Sequence, residues 1–436
     1  MSNKQLLADL QKESYQYFVH EVNPINGLTR DKTKAGWPAS IAATGFALST
    51  YPVMVNDGEL SRAEAAARTL TTLRFFWNSP QSKAANATGY KGFYYHFLEE
   101  KTGQRAWQCE LSTIDTTFLL AGALLAAQYF HHENETEAEI RKLADNLYRR
   151  CDWRWVLNNN GWVRHGWTPE HGFLPYDWLG YNESLLLYIL GLGSPTHPLP
   201  PESYEAAVSH YHWKKICDYE YIYAGPLFIH QYSHLWLDFK GIQDAYTREH
   251  DIDYFENSRR ATYIQQQYAI RNPKQYQGYG ATHWGITACD GPGGADEPVT
   301  RKIAGITRVF HDYVARGVPY GPDDGTIAPW VAVTSLPFAP EIVLPTIKAF
   351  NQLNLRSSEK DGGYGYKATI NQTFPEANNE HGWVSPYHFG INQGPLVMMI
   401  ENYKTAMIWQ LMRQCPYVVA GLRRAGFNGG WLTDAV

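Results

Sequence analysis

Apolar residues recur three or four positions apart through most of the chain. This period is typical of helices with one buried face. It predicts helices over 4–20, 39–54, 61–77, 113–131, 136–151, 181–191, 201–215, 226–240, 252–270, 338–353 and 396–413, with weaker support for one over 301–311. Local signals support two of these bounds. Ser61 and Glu64 form a capping box at the start of a helix, and the turn residues Asn56-Asp57-Gly58 end the helix before it.

Long segments rich in Gly, Pro, Asp and aromatic residues separate these helices. They cover 84–110, 152–180, 272–300, 316–336 and 356–395. Loops of this length usually carry function. Strand signals are weak and confined to the loops, as from Gly92 to Phe97. The pattern favours an all-α toroid, a closed ring of helical hairpins forming a single domain over 1–436. A helical solenoid is the alternative, but no repeated sequence unit is visible.

Composition narrows the class of protein. Hydrophobic residues make up 44% of the chain and charged residues 19%, which excludes a disordered protein. The formal net charge of −5 argues against nucleic-acid binding, which needs a basic surface. No apolar run is long enough to span a membrane. The five widely spaced cysteines match neither a disulfide framework nor a zinc site. The N-terminal segment has no secretory apolar core, so we expect a cytoplasmic protein, or a periplasmic one if a signal peptide has been removed.

Aromatic residues make up 14% of the chain, and many stand beside polar residues. Examples are Tyr176-Asp177-Trp178 and His283-Trp284. Such a mixture suits a sugar site, because the apolar C–H faces of pyranose rings stack on aromatic rings while hydroxyls bond to polar side chains. The alternative is that Tyr and Trp fill a large helical core with their polar tips satisfied.

One glutamate stands out as a candidate general acid. Glycoside hydrolysis usually needs a carboxylic acid to protonate the leaving oxygen and a second carboxylate as base or nucleophile. Glu183 is predicted in the first turn of helix 181–191, where the helix dipole lowers its pKa. Burial among Tyr181 and Trp178 would raise the pKa and make Glu183 an acid. The alternative is an ordinary first-turn glutamate.

Several aspartates are candidates for the second carboxylate. Asp115 forms a capping box with Ser112, which is a sufficient structural reason for it, but a catalytic or sugar-binding role stays open. Asp290 follows His283-Trp284 closely, and Asp324 lies in a turn where Asp is common for local reasons.

His230 and His234 are four residues apart on the predicted helix 226–240, which is metal-ligand spacing. No acidic ligand lies nearby in sequence, so hydrogen bonding or core packing is favoured over a metal.

The chain also carries longer strings, in this order: Ser40-Ile-Ala-Ala-Thr-Gly45, Glu110-Leu-Ser-Thr-Ile-Asp115, Tyr181-Asn-Glu183, Leu192-Gly-Ser-Pro-Thr-His197, Gly225-Pro-Leu-Phe-Ile-His-Gln-Tyr-Ser-His234, Tyr254-Phe-Glu-Asn-Ser-Arg259, Asp323-Asp-Gly-Thr-Ile-Ala-Pro329 and Gln393-Gly-Pro-Leu-Val-Met-Met-Ile-Glu-Asn-Tyr403. Together they resemble a bacterial family of glycoamylase-like proteins, which includes the endo-β-1,2-glucanases of glycoside hydrolase family 144.

The resemblance implies an (α/α)6 barrel, no cofactor or metal, and inverting hydrolysis of β-1,2-glucan or its oligosaccharides. It assigns Glu183 as general acid and leaves Asp115 or Asp290 as base. An acidic position of the family, directly before Gln393, is Asn392 here, and an amide cannot act as a base. Expected substrate contacts are Asp177, Trp178, Tyr181, Asn182, His230, Gln231, His234, Trp284, Asp324 and Gln393. Transglycosylation of the same glycan, α-glucan hydrolysis and sugar binding without catalysis are the alternative functions.

Overall fold

The computed structural model describes residues 2–295, 297–353, 355–356, 363–376 and 379–435. The described chain is predominantly helical. Its helices are α1 Asn3–Tyr15, α2 Tyr17–His20, α3 Ile41–Asn56, α4 Arg62–Asn78, α5 Thr113–Tyr129, α6 Glu135–Arg150, α7 Leu185–Gly193, α8 Pro201–Val208, α9 Ala245–Glu249, α10 Tyr254–Arg271, α11 Pro329–Thr334, α12 Pro340–Phe350, α13 Gly390–Lys404, α14 Met407–Arg413 and α15 Pro416–Arg424. Across these described ranges, no helix combines the length and apolar character that a bilayer crossing requires.

Short strands lie in the loops between the helices. They are β1 Ala39–Ser40, β2 Gly89–Tyr90, β3 Phe93–Tyr95, β4 Phe97–Leu98, β5 Leu111–Ser112, β6 Gly166–Thr168, β7 Gly172–Phe173, β8 Trp213–Ile216, β9 Tyr219–Ile222, β10 Ala288–Cys289, β11 Val299–Ile303, β12 Ile306–Phe310, β13 Val314–Ala315, β14 Ile370–Asn371 and β15 Trp383–Val384. The largest sheet has five antiparallel strands in the order β2-β3-β5-β6-β7, and the others have two strands each. The sequence did not predict this sheet, because strands of two or three residues are too short to show an alternating pattern.

The chain divides into two compact units, each assembled from three separate segments. Unit 1 contains the residues up to Tyr17, Trp213–Tyr232 and Phe255–Lys404. Unit 2 contains Phe18–His212, Ser233–Tyr254 and the residues from Thr405 onward. The five-stranded sheet, α3 to α9, α14 and α15 belong to unit 2, whereas α11 to α13 belong to unit 1.

Two glycines allow the central helices of unit 2 to pack backbone against backbone. A Cβ atom on Gly45 of α3 would lie 2.4 Å from the Phe118 carbonyl oxygen, and one on Gly122 of α5 would lie 2.2 Å from the Gly45 carbonyl oxygen. Any larger side chain would therefore force α3 and α5 apart. Phe46 and Phe118 both stack on Trp236 beside this contact, which forms the aromatic centre of the unit 2 core. The close packing fixes the position of α5 against α3.

Most of the predicted helices are present with small shifts at their ends, and five differ. The helix predicted over 396–413 begins at Gly390 and divides into α13 and α14. The helix predicted over 4–20 divides into α1 and α2, and the helix predicted over 201–215 ends at Val208, before strand β8. The helix predicted over 181–191 begins only at Leu185. The segment 226–240 forms two short 3-10 helices, Leu227–His230 and Tyr232–Leu235, instead of one α-helix. The side chain of Gln231, between them, donates to the Val331 carbonyl, so tertiary contacts determine the local backbone.

The weakly supported helix 301–311 is a β-hairpin of β11 and β12. Ala304 and Gly305 at its tip both have positive φ, 50° and 84°. That is the backbone of a two-residue hairpin turn, which favours glycine. The β-branched residues on either side fit a strand, and this signal outweighs the helical spacing. The sequence also did not predict α9, α11 and α15, which are short. The predicted loop 356–395 lies partly outside the described residues, at 357–362 and 377–378.

Candidate active site

Asp115 is fixed where strand β5 turns into helix α5. Ser112 is the N-cap, and its hydroxyl accepts from the Asp115 N–H at 3.1 Å. The same hydroxyl donates to Asp115 Oδ2 at 2.5 Å. β5 itself lies between β3 and β6 in the five-stranded sheet. Ser112 is therefore the N-cap that the sequence predicts, but Asp115 accepts from the Ser112 hydroxyl instead of the backbone N–H that a full capping box uses. This bond orients the carboxylate.

His96 lies between strands β3 and β4, and its ring faces the Asp115 carboxylate. Its backbone N–H donates to the Glu110 carbonyl, and its carbonyl accepts from Ile41 at the start of α3. Its ring Nδ1 lies 2.8 Å from Glu110 Oε1, and Nε2 lies 3.7 Å from Asp115 Oδ2. Burial would lower the pKa of His96, but Asp115 and Glu110 outweigh it and raise that pKa to about 9. The ring is therefore an imidazolium between two carboxylates at neutral pH.

The carboxyl groups around His96 differ in acidity. Burial raises the pKa of Asp115, although His96 and Ser112 oppose the rise. Burial also acts on Glu110, but its hydrogen bond to His96 prevails and lowers the pKa. Asp31 is buried nearby, and burial raises its pKa to about 6. Three acidic groups and one cation thus form a coupled cluster in unit 2.

Glu183 lies just outside the N-terminus of α7, not in its first turn as the sequence predicted. The N-cap of α7 is Ser184, and Glu183 precedes it in a turn. The backbone N–H of Glu183 itself lowers the pKa of the carboxyl only in part. Desolvation by the surrounding protein dominates and, together with the charge of Asp115, raises the pKa of Glu183 to about 7. Burial therefore outweighs the helix terminus, and a large fraction of Glu183 is protonated at neutral pH.

Aromatic residues near Glu183 are locked by hydrogen bonds and stacking. Trp178 is 6% exposed and stacks on His165 with ring centroids 3.7 Å apart. Its indole N–H donates to Thr113 Oγ1 at 2.9 Å, in the first turn of α5. Tyr181 stacks on Tyr254 at 5.9 Å. These contacts fix the segment that leads into Glu183 against the start of α5.

The polar residues predicted around Glu183 have protein partners. The Asn182 side chain accepts from the Ser184 N–H at 3.0 Å and donates to the Leu179 carbonyl at 3.2 Å, so it builds the turn that holds Glu183. Asp177 lies 3.5 Å from Arg164 Nε. His234 is 1% exposed, and its ring packs on Phe239.

Asp290 belongs to unit 1. Its carboxylate accepts from Thr369 Oγ1 at 2.9 Å and from Ser385 Oγ at 2.5 Å. The side chain is 7% exposed. Two hydroxyl donors stabilise the ionised form of this carboxylate.

Asp324 forms a buried ion pair with Arg316 in unit 1. The two side chains are 1% and 0% exposed, and Arg316 donates to both Asp324 oxygens at 2.8 Å. Burial opposes ionisation of Asp324, but Arg316 prevails and lowers its pKa. Thr326 Oγ1 and the His311 N–H also donate to this carboxylate. These bonds make Asp324 an anchor of its loop.

The other residues predicted to contact substrate are buried in unit 1 with protein partners. Trp284 is fully buried, and its N–H donates to Thr346 Oγ1 at 2.9 Å. His230 lies 3.2 Å from the Ala224 carbonyl, and burial lowers its pKa to about 4. Gln231 and Gln393 each donate to a backbone carbonyl. The α-helical spacing that suggested a metal site at His230 and His234 is absent, because Gln231 separates two 3-10 helices.

A family model identifies the chain from the segment that carries Glu183. The model named Glycoamylase, of glucoamylase-type proteins, matches residues 175–416, which is more than half of the sequence. The chain belongs to the Glycoamylase family.

Relatives of known name cover nearly all of this Glycoamylase-family chain. It is 29% identical over 462 residues to an exo-β-1,2-glucooligosaccharide sophorohydrolase (non-reducing end) of Parabacteroides distasonis, covering 97% of this chain but only 58% of that protein. A solved endo-β-1,2-glucanase of Chitinophaga pinensis, in complex with sophorotriose and glucose, is 25% identical to this chain and superposes with a TM-score of 0.85. The match covers 99% of this chain and 100% of the other. A solved β-1,2-glucanase of Parabacteroides distasonis is 26% identical with a TM-score of 0.83, covering 98% of this chain and 60% of the other.

Sequence reasoning about this Glycoamylase-family chain missed His96 and Asp31. His96 lies in the run Phe93-Tyr-Tyr-His96-Phe97, where a lone polar residue among buried aromatics was the available signal. Glu110 was noted only as part of a family string.

Among the residues that the structure describes, the same cluster brings together candidate ligands for a cation. One ligand atom from each of His96, Glu110 and Asp115 lies within 4.8 Å of the others. A metal there would have to displace the protons of the His96 imidazolium, which bonds to Glu110 through Nδ1 and faces Asp115 with Nε2.

Proposed function

We propose that this protein hydrolyses β-1,2-linked glucan or β-1,2-glucooligosaccharides. The three named relatives support this substrate class, because each name refers to a β-1,2-glucan or its oligosaccharides. The Chitinophaga pinensis relative supports it most directly, since its whole length corresponds to this chain. We also retain the (α/α)6 barrel with its functional loops at one end as part of the proposal.

The raised pKa of Glu183 carries the mechanistic part of the proposal. An acid that protonates a leaving oxygen at neutral pH needs a pKa near that pH. Glu183 has a pKa of about 7, whereas an ordinary glutamate would be almost fully ionised. Glu183 therefore donates the proton to the oxygen of the scissile bond and becomes a carboxylate.

Asp115 is the proposed base that takes the proton from the attacking water. The Ser112 hydroxyl and the His96 imidazolium stabilise its ionised form. The negative charge on Asp115 in turn raises the pKa of Glu183. The charge of Asp115 thus favours the protonated form of Glu183, as the acid of an acid–base pair requires. Asp290, with its two hydroxyl donors, is the second candidate base.

The proposed reaction inverts the anomeric configuration. Inverting glycosidases hold their two carboxyl groups roughly 6.5–9.5 Å apart, which leaves room for the attacking water. Glu183 and Asp115 come from the starts of two different helices, and no hydrogen bond or ion pair joins their side chains within the part of the chain described. Water entering between them would be activated by Asp115 on the face opposite to Glu183.

The proposal is tested by product analysis with a panel of β-1,2-, β-1,3-, β-1,4- and α-1,4-glucans. We expect reducing sugar from the β-1,2-glucan. Glu183→Gln should lower kcat by at least roughly a hundredfold on that substrate. Glu205→Gln, an exposed glutamate of α8, is the matched control and should leave kcat unchanged.

Release from α-1,4-glucan alone would overturn the substrate assignment. Near wild-type turnover by Glu183→Gln would remove Glu183 from the mechanism.

A further inference from the structure

An indole ring is held out into solvent beside the acidic cluster. Trp107 is 54% exposed, which is unusual for so large an apolar side chain. Its ring lies 5.3 Å from that of Phe97, and Phe97 stacks on His96 at 4.1 Å. A continuous row of rings thus leads from the imidazolium that faces Asp115 to the exposed indole.

The backbone that presents Trp107 is strained. Trp107 and Gln108 have φ values of 53° and 55°, in the left-handed region that non-glycine residues rarely adopt. Two successive residues in this region persist only where surrounding contacts impose them, and such strain gathers at functional sites. A loop without such imposed contacts would be expected to relax out of this geometry, and the indole would then not stay exposed in this position.

Arg105 supplies the contacts that hold the strained turn. Its guanidinium donates to the Gln108 and Cys109 carbonyls, each at 2.6 Å. The guanidinium is itself paired with Glu170, and Arg105 is only 8% exposed. A buried, charged clamp therefore fixes the loop directly before Glu110. The same clamp orients the exposed indole on one side and a member of the acidic cluster on the other.

A second tryptophan supports the ring of Trp107 from the side. The rings of Trp37 and Trp107 meet edge to face with centroids 4.5 Å apart. The Trp37 indole donates to Asp31 Oδ2 at 3.0 Å, and Lys32 lies 4.0 Å from its ring centroid. Trp37 is thus occupied by protein partners and serves as a support, while the ring of Trp107 is open to solvent.

We propose that Trp107 is a substrate-binding residue that stacks on the apolar face of one glucosyl ring next to the His96–Glu110–Asp115 cluster. This inference rests on the proposed function for the identity of the sugar. A large planar ring with few rotatable bonds binds the C–H face of a pyranose at little entropic cost. The position beside the cluster assigns this ring to a subsite adjoining the reacting bond, so Trp107 acts in substrate binding and not in proton transfer.

The test compares Trp107→Ala and Trp107→Phe with wild type on β-1,2-glucooligosaccharides. Trp107→Ala should raise KM roughly tenfold, the scale of losing one stacking contact, and change kcat less than about twofold. Trp107→Phe keeps an aromatic face and should recover most of the affinity. Trp77→Ala is the matched control, because Trp77 is 36% exposed in the same unit and lies under Arg150. That variant should keep the wild-type KM.

Two outcomes would overturn the subsite. One is an unchanged KM in Trp107→Ala. The other is a fall in kcat without a rise in KM in both Trp107 variants, which would mean that the ring only supports Glu110.

Calorimetric titration of β-1,2-glucooligosaccharides into Glu183→Gln and into Glu183→Gln/Trp107→Ala separates this inference from the proposed function. If wild type releases no sugar, the proposed function fails, and the difference in affinity between these two proteins still tests the subsite. Equal affinities contradict it, and a roughly tenfold weaker affinity of the double variant supports it.

Discussion

The imidazolium of His96 lies 3.7 Å from the carboxylate of Asp115, while its other nitrogen bonds to Glu110 at 2.8 Å. These two contacts raise the pKa of His96 to about 9 against the effect of burial. The positive charge in turn limits how far burial can raise the pKa of Asp115. The ring therefore favours the ionised form of Asp115 against the effect of burial, and the charge of Asp115 raises the pKa of Glu183.

The first prediction concerns the pH dependence of hydrolysis. Glu183 must be protonated to act as an acid, so activity should persist below its pKa and fall as the pH rises through about 7. On the acidic side, activity should fall as Asp115 becomes protonated, because the base must be ionised. The pKa of Asp115 lies above its usual range, so this acid limb should lie at a higher pH than for an ordinary aspartate. A bell-shaped profile of kcat/KM measured from pH 4 to 9 checks this. A rate that stays constant from pH 6 to 9 would contradict the role of Glu183.

The second prediction concerns His96. His96→Gln removes the cation between Asp31, Glu110 and Asp115, so the pKa of Asp115 should rise further. The acid limb of the profile should move to higher pH by about one unit or more, the size expected for losing an opposite charge this close. The bell becomes narrower. His171→Gln, an exposed histidine of the same unit, should leave the profile unchanged. An unshifted acid limb in His96→Gln would separate His96 from the base.

The third prediction is that activity does not depend on a metal. The ligand atoms of His96, Glu110 and Asp115 are close enough to bind a cation, but the His96 imidazolium already supplies a positive charge to both carboxylates. Prolonged dialysis against EDTA should therefore leave kcat unchanged. Loss of activity that returns with zinc or calcium, together with metal found by elemental analysis, would show that the cluster is a metal site.

The fourth prediction concerns stereochemistry. With Glu183 as acid and a separate base activating water, β-linked substrate should give the α-anomer first. Proton NMR on fresh digests distinguishes the anomers before mutarotation. Early release of the β-anomer would indicate a retaining enzyme and a different role for the second carboxylate.

The fifth prediction concerns the buried Arg316–Asp324 pair. Arg316→Met leaves the Asp324 carboxylate buried without its cation, which should lower the free energy of unfolding by about 3–5 kcal/mol. Urea denaturation measures the loss. Arg316→Met/Asp324→Leu removes both charges and should be less destabilised than the single variant.

Arg68→Met is the control for this pair, because it breaks the surface pair with Glu64 and should cost only about 0.3–0.5 kcal/mol. The pKa of Asp324 is lowered in the folded protein, so the pair stabilises above the unfolded pKa of about 3.9 and this contribution is lost as the pH falls below it. Equal losses for Arg68→Met and Arg316→Met would contradict the structural role of the pair.

The sequence predicted the helices that have a clear apolar period, because their positions follow from local hydrogen bonding and a buried face. α4, α6 and α10 lie close to the predicted bounds for this reason, whereas α3 and α5 are buried on all sides and lie close to their bounds because their apolar runs are long. The segment with Gln231 did not follow its pattern, since side-chain bonds to distant carbonyls fixed its backbone. The hairpin of β11 and β12 shows the opposite case. Its turn residues Ala304 and Gly305 were a local signal in the sequence, but the prediction relied on the helical spacing of the apolar residues.

The sequence by itself determined the family, the capping of α5 by Ser112 and the choice of Glu183 as the candidate acid. Those conclusions need only residue identity and near neighbours along the chain. The pKa of Glu183 depends on desolvation and on the charge of Asp115, which is distant in sequence. The pairing of His96 with two carboxylates and the exposure of Trp107 also needed the folded chain. Electrostatic and packing energies depend on distance in space, so only the tertiary structure decided which polar groups act on one another.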